Sequence, residues 1–195
     1  MKVLIVVATN FEITSDMLKV YPVLVTGIGM VNTSINLTRE LSKNRYDLVI
    51  NMGIAGSFKD SINIGDVVEI TEDSFSEIGF EDSNQFNKFS EFDIKTSFTV
   101  NPKSSLKRVK SITVNTVHGN AQSISEIVER ENTDIESMEG AAVFNVCEDF
   151  NTNCIQIRSI SNKVEARNKD NWDIKTAIIN LNNEVERIIT NLWRL

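Results

Sequence analysis

The chain reads as a single α/β domain with a central mixed, twisted sheet flanked by helices. Three observations predict this. Short apolar runs at residues 3–8, 47–52 and 154–160 fit strands buried on both faces. Between and after them, apolar residues recur with helical spacing, most clearly over 143–150 and 177–192. Strands that alternate with helices fold as a sheet with helices on its faces. A length of 195 residues fits one domain spanning 1–195, or two at most.

The elements follow in order. Residues 3–8 (VLIVVA) form the first strand; the run is too short for a secretory leader, and no small-residue cleavage site follows. Residues 9–12 leave that strand at its C-terminal end. A second apolar run at 23–26 leads into Gly27-Ile28-Gly29-Met30. Val31, Ile35 and Leu41 then predict a helix that ends near Asn44. The third strand, 47–52, runs into Gly53-Ile54-Ala55-Gly56-Ser57. The fourth covers 65–71, behind the turn residues Asn63 and Gly65.

Residues 72–97 are acidic and polar, yet carry five of the ten Phe: Phe75, Phe80, Phe86, Phe89 and Phe92. A disordered linker does not carry aromatics at this density. The stretch is either a loop or lid whose rings pack on a partner subunit or ligand, or a local core satellite. Residues 111–117 alternate and are β-branched, which predicts a strand. A short strand at 134–138 opens a helix that buries Val143, Val146, Cys147 and Phe150. After the last strand at 154–160 comes a polar stretch, 161–172. Ala177, Ile178, Leu181, Val185, Ile188, Ile189 and Leu192 then mark a long amphipathic helix.

The formal net charge of −7 argues against a nucleic-acid surface. The one dense basic run, Lys107, Arg108 and Lys110, reads as a solvated face. Cys147 and Cys154 fall in apolar settings with no zinc spacing, as buried thiols in a reducing compartment do. The single histidine, His118, rules out a multi-histidine metal site, and such a lone histidine is more often structural than catalytic. No metal or cofactor is expected, no segment approaches a membrane span, and the expected location is cytoplasmic.

Gly27-Ile28-Gly29 lacks the third glycine of a dinucleotide loop, since Asn32 stands in its place. Gly53 and Gly56 can cradle a ribose or make a close strand-to-helix turn. Three acids, Asp134, Glu136 and Glu139, stand at a strand–helix junction, where α/β proteins bind ligands. Asp134 and Glu136 are read as favouring the positive helix N-terminus. Glu12, Glu139 and Asn162 each follow an apolar strand, so they can converge at one sheet edge. Two carboxylates and an amide suit cleavage of a glycosidic bond.

Five segments sharpen this: GIGMVN (27–32), NMGIAGS (51–57), GDVV (65–68), ESMEGAAV (136–143) and RSISN (158–162). Their order over nearly the whole chain resembles the nucleoside phosphorylase and nucleosidase superfamily, in its methylthioadenosine/adenosylhomocysteine nucleosidase branch. Within it the chain is most similar to the futalosine hydrolase group. The features that point there are the short stretch between Glu12 and Gly27, the His118-Gly119 pair after residues 112–117, and SISNKVEARNKDNW (159–172).

The resemblance implies a nucleoside phosphorylase-like fold and roles at matching positions. Glu12 matches the acid that activates water. Glu139 and Met138 match the pair that grips the ribose, the carboxylate on its hydroxyls and the thioether beneath the sugar. Asn162 stands where adenine-specific nucleosidases carry an aspartate that serves purine N7. Trp172 falls near an aromatic over the 5′ substituent, with Phe80 a weaker candidate. Arg167 can meet the carboxylate of a benzoate tail, or pair with Glu165 or Asp170. Ile54, Ala55, Gly56 and Val117 are expected to line the site; Ile54 replaces a small or hydroxylated residue. The resemblance also implies a homodimer or larger homo-oligomer, with a small-molecule nucleoside as substrate.

Asn162 carries the substrate argument. Adenine offers an acceptor at N7 and a donor at its amine, whereas hypoxanthine offers acceptors at both N7 and O6. An amide donates to such acceptors; an ionised carboxylate cannot. A mismatched buried polar pair costs about 1–3 kcal/mol, or ~10- to 100-fold in discrimination. The expected reaction is hydrolysis of futalosine to hypoxanthine and dehypoxanthine futalosine, a step of menaquinone biosynthesis. Rival readings are an adenine-type nucleosidase, a purine nucleoside phosphorylase and a non-catalytic nucleoside-binding module. Phosphorolysis is disfavoured because residues 9–12 and 51–53 carry no arginine for phosphate, and Glu12 would repel it.

Overall fold

The computed structural model describes residues 1–83, 85–89 and 91–192. Asn84 and Ser90, within the aromatic stretch 72–97, and residues 193–195 lie outside the described residues. The centre of the molecule is β3 (Leu48–Ser57). Along its first half β3 pairs in parallel with β1 (Val3–Val7), which in turn pairs in parallel with β2 (Val23–Val25). Its other edge is paired in parallel along its whole length by β10 (Asn153–Lys163).

The sheet then curls back on itself. β10 pairs antiparallel with β4 (Val67–Phe75), β4 pairs parallel with β8 (Lys107–Thr113), and β8 pairs parallel with β9 (Ile135–Ser137). β9 closes the ring by pairing antiparallel with the end of β3, Gly56 opposite Glu136. The mixed sheet is therefore partly a closed barrel. β7 (Ser97–Thr99) pairs with β4, while β5 (Phe80–Asp82) and β6 (Gln85–Asn87) make a separate hairpin.

Alternation along each strand divides the core. Leu4 and Val6 of β1 face one side, with Val49 of β3. There they meet α1 (Met30–Lys43) through Leu37 and Leu41, and α3 (Gly140–Asp149) through Val143, Phe144 and Cys147. Val3, Ile5 and Val7 face the other side with Ile50 and Ile155. There α4 (Ile174–Leu192) contributes Leu181, Val185, Ile188 and Ile189. Both cysteines are buried and free.

The structure adds to or changes the sequence expectations at four places, the first within a helix that is present as expected. The helix after Gly29 buries Thr33, Leu37 and Leu41, while Val31 and Ile35 stay 65% and 45% exposed. Both sets have helical spacing, and only contact with the sheet selects the phase. The strand predicted at 111–117 begins earlier, at Lys107, and ends at Thr113. The basic run therefore lies on a strand, with Lys110 paired to Glu72. Residues 72–75, placed in the loop or core-satellite stretch, continue β4. A further helix, α2 (Ala121–Arg130), was missed; Asn120 caps it by accepting from the Gln122 and Ser123 amides.

Candidate active site

The C-terminal ends of β1, β3, β9 and β10 open onto one cavity of about 460 Å³. A larger groove of about 650 Å³ lies at the opposite end, between residues 41–47 and 149–152. It faces the N-termini of β3 and β10 and contains none of the expected site residues. The strand ends hold the convergent groups, as the geometry of α/β sheets predicts.

Ten of the expected site residues line this cavity: Glu12, Ile54, Ala55, Gly56, Val117, Met138, Glu139, Asn162, Arg167 and Trp172. Phe80 does not. It sits on the β5–β6 hairpin and packs on Phe89, with ring centroids 5.5 Å apart. Its aromatic character was legible, but its reach depends on where the hairpin folds.

Glu12 leaves β1 on the short turn Asn10–Glu12 and is almost fully buried. Its Oε2 accepts from the Thr9 amide at 2.9 Å, and its Oε1 accepts from the Ile54 amide at 3.4 Å. Gly53 makes this approach possible, since a Cβ there would sit 2.9 Å from Glu12 Oε1. Burial raises the Glu12 pKa above its ordinary value; the Thr9 amide and Arg158 oppose the rise, and Glu139 adds to it. A carboxylate tuned upward is a stronger general base.

The loop that carries Glu12 is held from α4. Asn182, buried on that helix, donates to the Glu12 carbonyl at 3.0 Å. Its Oδ1 accepts from the Thr14 and Ser15 amides at 3.0 and 3.1 Å. The amide of Asn182 thus serves three backbone groups of the turn after Glu12.

Glu139 precedes α3, and its Oε1 accepts from the Gly29 amide at 2.9 Å. Gly29 has φ +92°, a conformation that favours glycine. The acid is thereby tied to the loop before α1. Beneath the α3 N-terminus lies a buried polar cluster. Asp73 accepts from Thr113 Oγ1 at 2.9 Å and from Gln156 Nε2 at 3.1 Å, and Thr113 Oγ1 accepts from the Ala141 amide at 2.7 Å. Burial pushes Asp73 up to about 6, against its hydrogen bonds and Arg158.

Arg158 was missed as a site residue because it falls inside an apolar run. It is fully buried, and Nη2 donates to Asn51 Oδ1 at 2.6 Å. Burial lowers its pKa, while Glu139, Glu12 and Asp73 oppose that shift. One buried cation thus lies within electrostatic reach of three acids.

Asn162 sits just after an irregularity in the β10–β3 register, between Ile160 and Asn162. Such bulges re-aim side chains. Its Oδ1 accepts from Ser161 Oγ at 2.8 Å, and its Nδ2 donates to the Lys163 carbonyl at 2.9 Å. One amide hydrogen is therefore already engaged, and one is left for a ligand. Arg167 pairs with neither Glu165 nor Asp170; its guanidinium lies over Trp172 at 5.0 Å. Glu165 instead accepts from Asn171.

Glu136 reverses its expected reading. It is buried, lines the cavity and binds His118 twice: Oε1 accepts from the His118 amide at 3.0 Å, and Oε2 is 2.5 Å from Nδ1. No signal joins these residues in the sequence, where they are 18 positions apart. Asp134 accepts from the Lys110 amide instead. Among the described residues no group of three His, Cys, Asp or Glu side chains is arranged to hold a metal ion.

A family model described as the phosphorylase superfamily matches residues 7–194. The chain belongs to the phosphorylase superfamily. It is 24% identical to a futalosine hydrolase of Thermus thermophilus, over 84% of this chain and 79% of that one. It is 33% identical to a 5′-methylthioadenosine/S-adenosylhomocysteine nucleosidase of Shewanella frigidimarina, over 79% of this chain and 72% of that one. The solved futalosine hydrolase of Helicobacter pylori superposes with a TM-score of 0.84 at 16% identity, covering 98% of each chain. The structural match shows the shared fold, a mixed sheet flanked by helices.

Proposed function

We propose that this protein hydrolyses the N-glycosidic bond of a purine nucleoside, and that its substrate is the 6-oxopurine nucleoside futalosine. The superfamily membership and the names of both sequence relatives support N-ribosidic hydrolysis. The observation that carries the choice of base is Asn162 on the cavity wall, with an amide hydrogen available to an acceptor such as O6 or N7.

Glu12 takes a proton from water, whose oxygen bonds to C1′ as the bond to the purine breaks. Glu139 accepts from the ribose hydroxyls, and Met138 lies against the sugar. Arg158 balances the charge of both acids from below. Trp172, with Arg167 over its ring, offers a wall and a cation for an aromatic acid at the 5′ end. The Glu12 carboxylate would repel phosphate, which favours hydrolysis over phosphorolysis.

The cavity mouth carries exposed apolar side chains. Phe11 and Ile28 line the cavity yet are 81% and 56% exposed, and Val31 and Ile35 are also exposed. A second copy of the chain covers this face and completes the site. No helix among the described residues is long and apolar enough to cross a membrane.

The test is a product assay on futalosine, inosine and methylthioadenosine, each with and without phosphate. Free hypoxanthine from futalosine without phosphate is the expected result. Release of adenine alone would favour the reaction named for the Shewanella relative, and a strict need for phosphate would make the enzyme a phosphorylase. Sedimentation that gives a monomer at micromolar concentration would overturn the dimer.

A further inference from the structure

We propose that the Glu136–His118 pair is the acid that protonates the departing base. This rests on the hydrolase reading above. An oxopurine leaving as an anion needs a proton, and Asn162 has none to transfer. Of the acids on the cavity wall, Glu12 takes a proton from water and Glu139 is tied to Gly29 at the sugar end. Glu136 is the remaining carboxylate on that wall.

Its position is at the base end. Gly56 stands between Glu136 and Asn162: a Cβ there would lie 3.1 Å from Asn162 Nδ2 and 3.7 Å from Glu136 Cγ. The same acid is 2.5 Å from His118 Nδ1, and the two side chains are only 3% and 15% exposed. Phe58 packs edge-on against the imidazole, with centroids 6.2 Å apart, and fixes the ring. A hydrogen bond at this distance needs a proton between nitrogen and oxygen, in a place shielded from bulk water.

The step balances. In the active form the pair is imidazolium and carboxylate. As C1′–N9 breaks, its electron pair stays with the purine. A proton passes from His118 Nδ1 to Glu136, and from Glu136 to the purine. Neutral imidazole and carboxylate remain. The water that attacks C1′ gives its proton to Glu12, so one proton is taken at one end of the cavity as another is given at the other. Exchange with solvent resets both groups. Glu136 is the member that touches the base, and His118 acts through it.

The experiment compares two leaving groups in the same protein samples. Futalosine releases a base that needs a proton, whereas 4-nitrophenyl β-D-ribofuranoside releases a stable phenolate that does not. His118→Gln and Glu136→Gln are each assayed on both. The ratio of the two rates is independent of how much protein is folded. The expected result is a fall in the futalosine-to-nitrophenyl ratio of ~100-fold, the scale of general acid catalysis. A fall of less than ~10-fold, including equal losses on both substrates, overturns the proposal. If the unaltered protein frees no base from any purine nucleoside, the hydrolase reading itself fails, and this proposal with it.

Discussion

The proposed function gives the cavity a sugar end and a base end, and the two hold their polar groups by different means. At the sugar end the acids are held by backbone. Glu12 is fixed by the Thr9 and Ile54 amides, and Glu139 by the Gly29 amide. At the base end much of the support comes from side chains: Ser161 donates to Asn162, and the His118 imidazole meets Glu136. Backbone donors at strand ends come with the fold and tolerate sequence change. Side-chain partners can be exchanged one at a time. On the proposed reading, water attack therefore belongs to the architecture, while base preference rests on a few replaceable residues.

The strongest way to break that comparison is at Glu12. Glu12→Gln is expected to lower kcat by ~1,000-fold or more while nucleoside binding, read by calorimetry, is largely kept. Near-normal kcat would remove Glu12 as the base. Because burial raises its pKa, the unaltered enzyme should lose kcat/KM as pH falls, with a midpoint above the ordinary glutamate value of 4.5. A midpoint at or below that value would contradict the burial argument.

The cluster beneath Glu139 gives the next effect, on stability. Folded Asp73 keeps its proton up to pH about 6, whereas the unfolded chain releases it near 3.8. Between those values the folded state binds more protons, so stability falls as pH rises and levels off above about 6. The difference amounts to up to about 3 kcal/mol. Asp73→Asn should flatten most of this slope in urea unfolding at pH 4.5 and 7.5, leaving the part that belongs to Glu12. An unchanged slope would mean that Asp73 titrates normally.

At the base end, Asn162→Asp should shift preference towards adenine nucleosides by ~10- to 100-fold, measured as a ratio of kcat/KM values. An unchanged ratio would refute the donor argument. The smallest effect is expected at Asn182, which acts on the sugar end through backbone alone. Asn182→Ala should cost about 1–3 kcal/mol of stability, for the amides and carbonyl left unpaired, and lower kcat more than it raises KM. A change confined to KM would show that the Glu12 turn holds its shape without it.

The sequence by itself determined the main apolar strands and picked out two acids and an amide that line the cavity. Continuous apolar runs can only be buried strands or helices, and Glu12, Glu139 and Asn162 stand just past or near the ends of such runs. Period and position along the chain are local properties, so they survive in one dimension. The phase of α1 is different: Thr33 and Val31 compete on equal helical terms, and packing against the sheet chooses the former. Phe80 carries the right chemistry and lies away from the cavity because its hairpin folds elsewhere. The contacts of Arg158 with Asn51, of Asn182 with Glu12 and of His118 with Glu136 join residues 107, 170 and 18 positions apart. Only the tertiary structure decided these, because side-chain pairs between elements depend on sheet register and ring closure, which leave no local pattern in the chain.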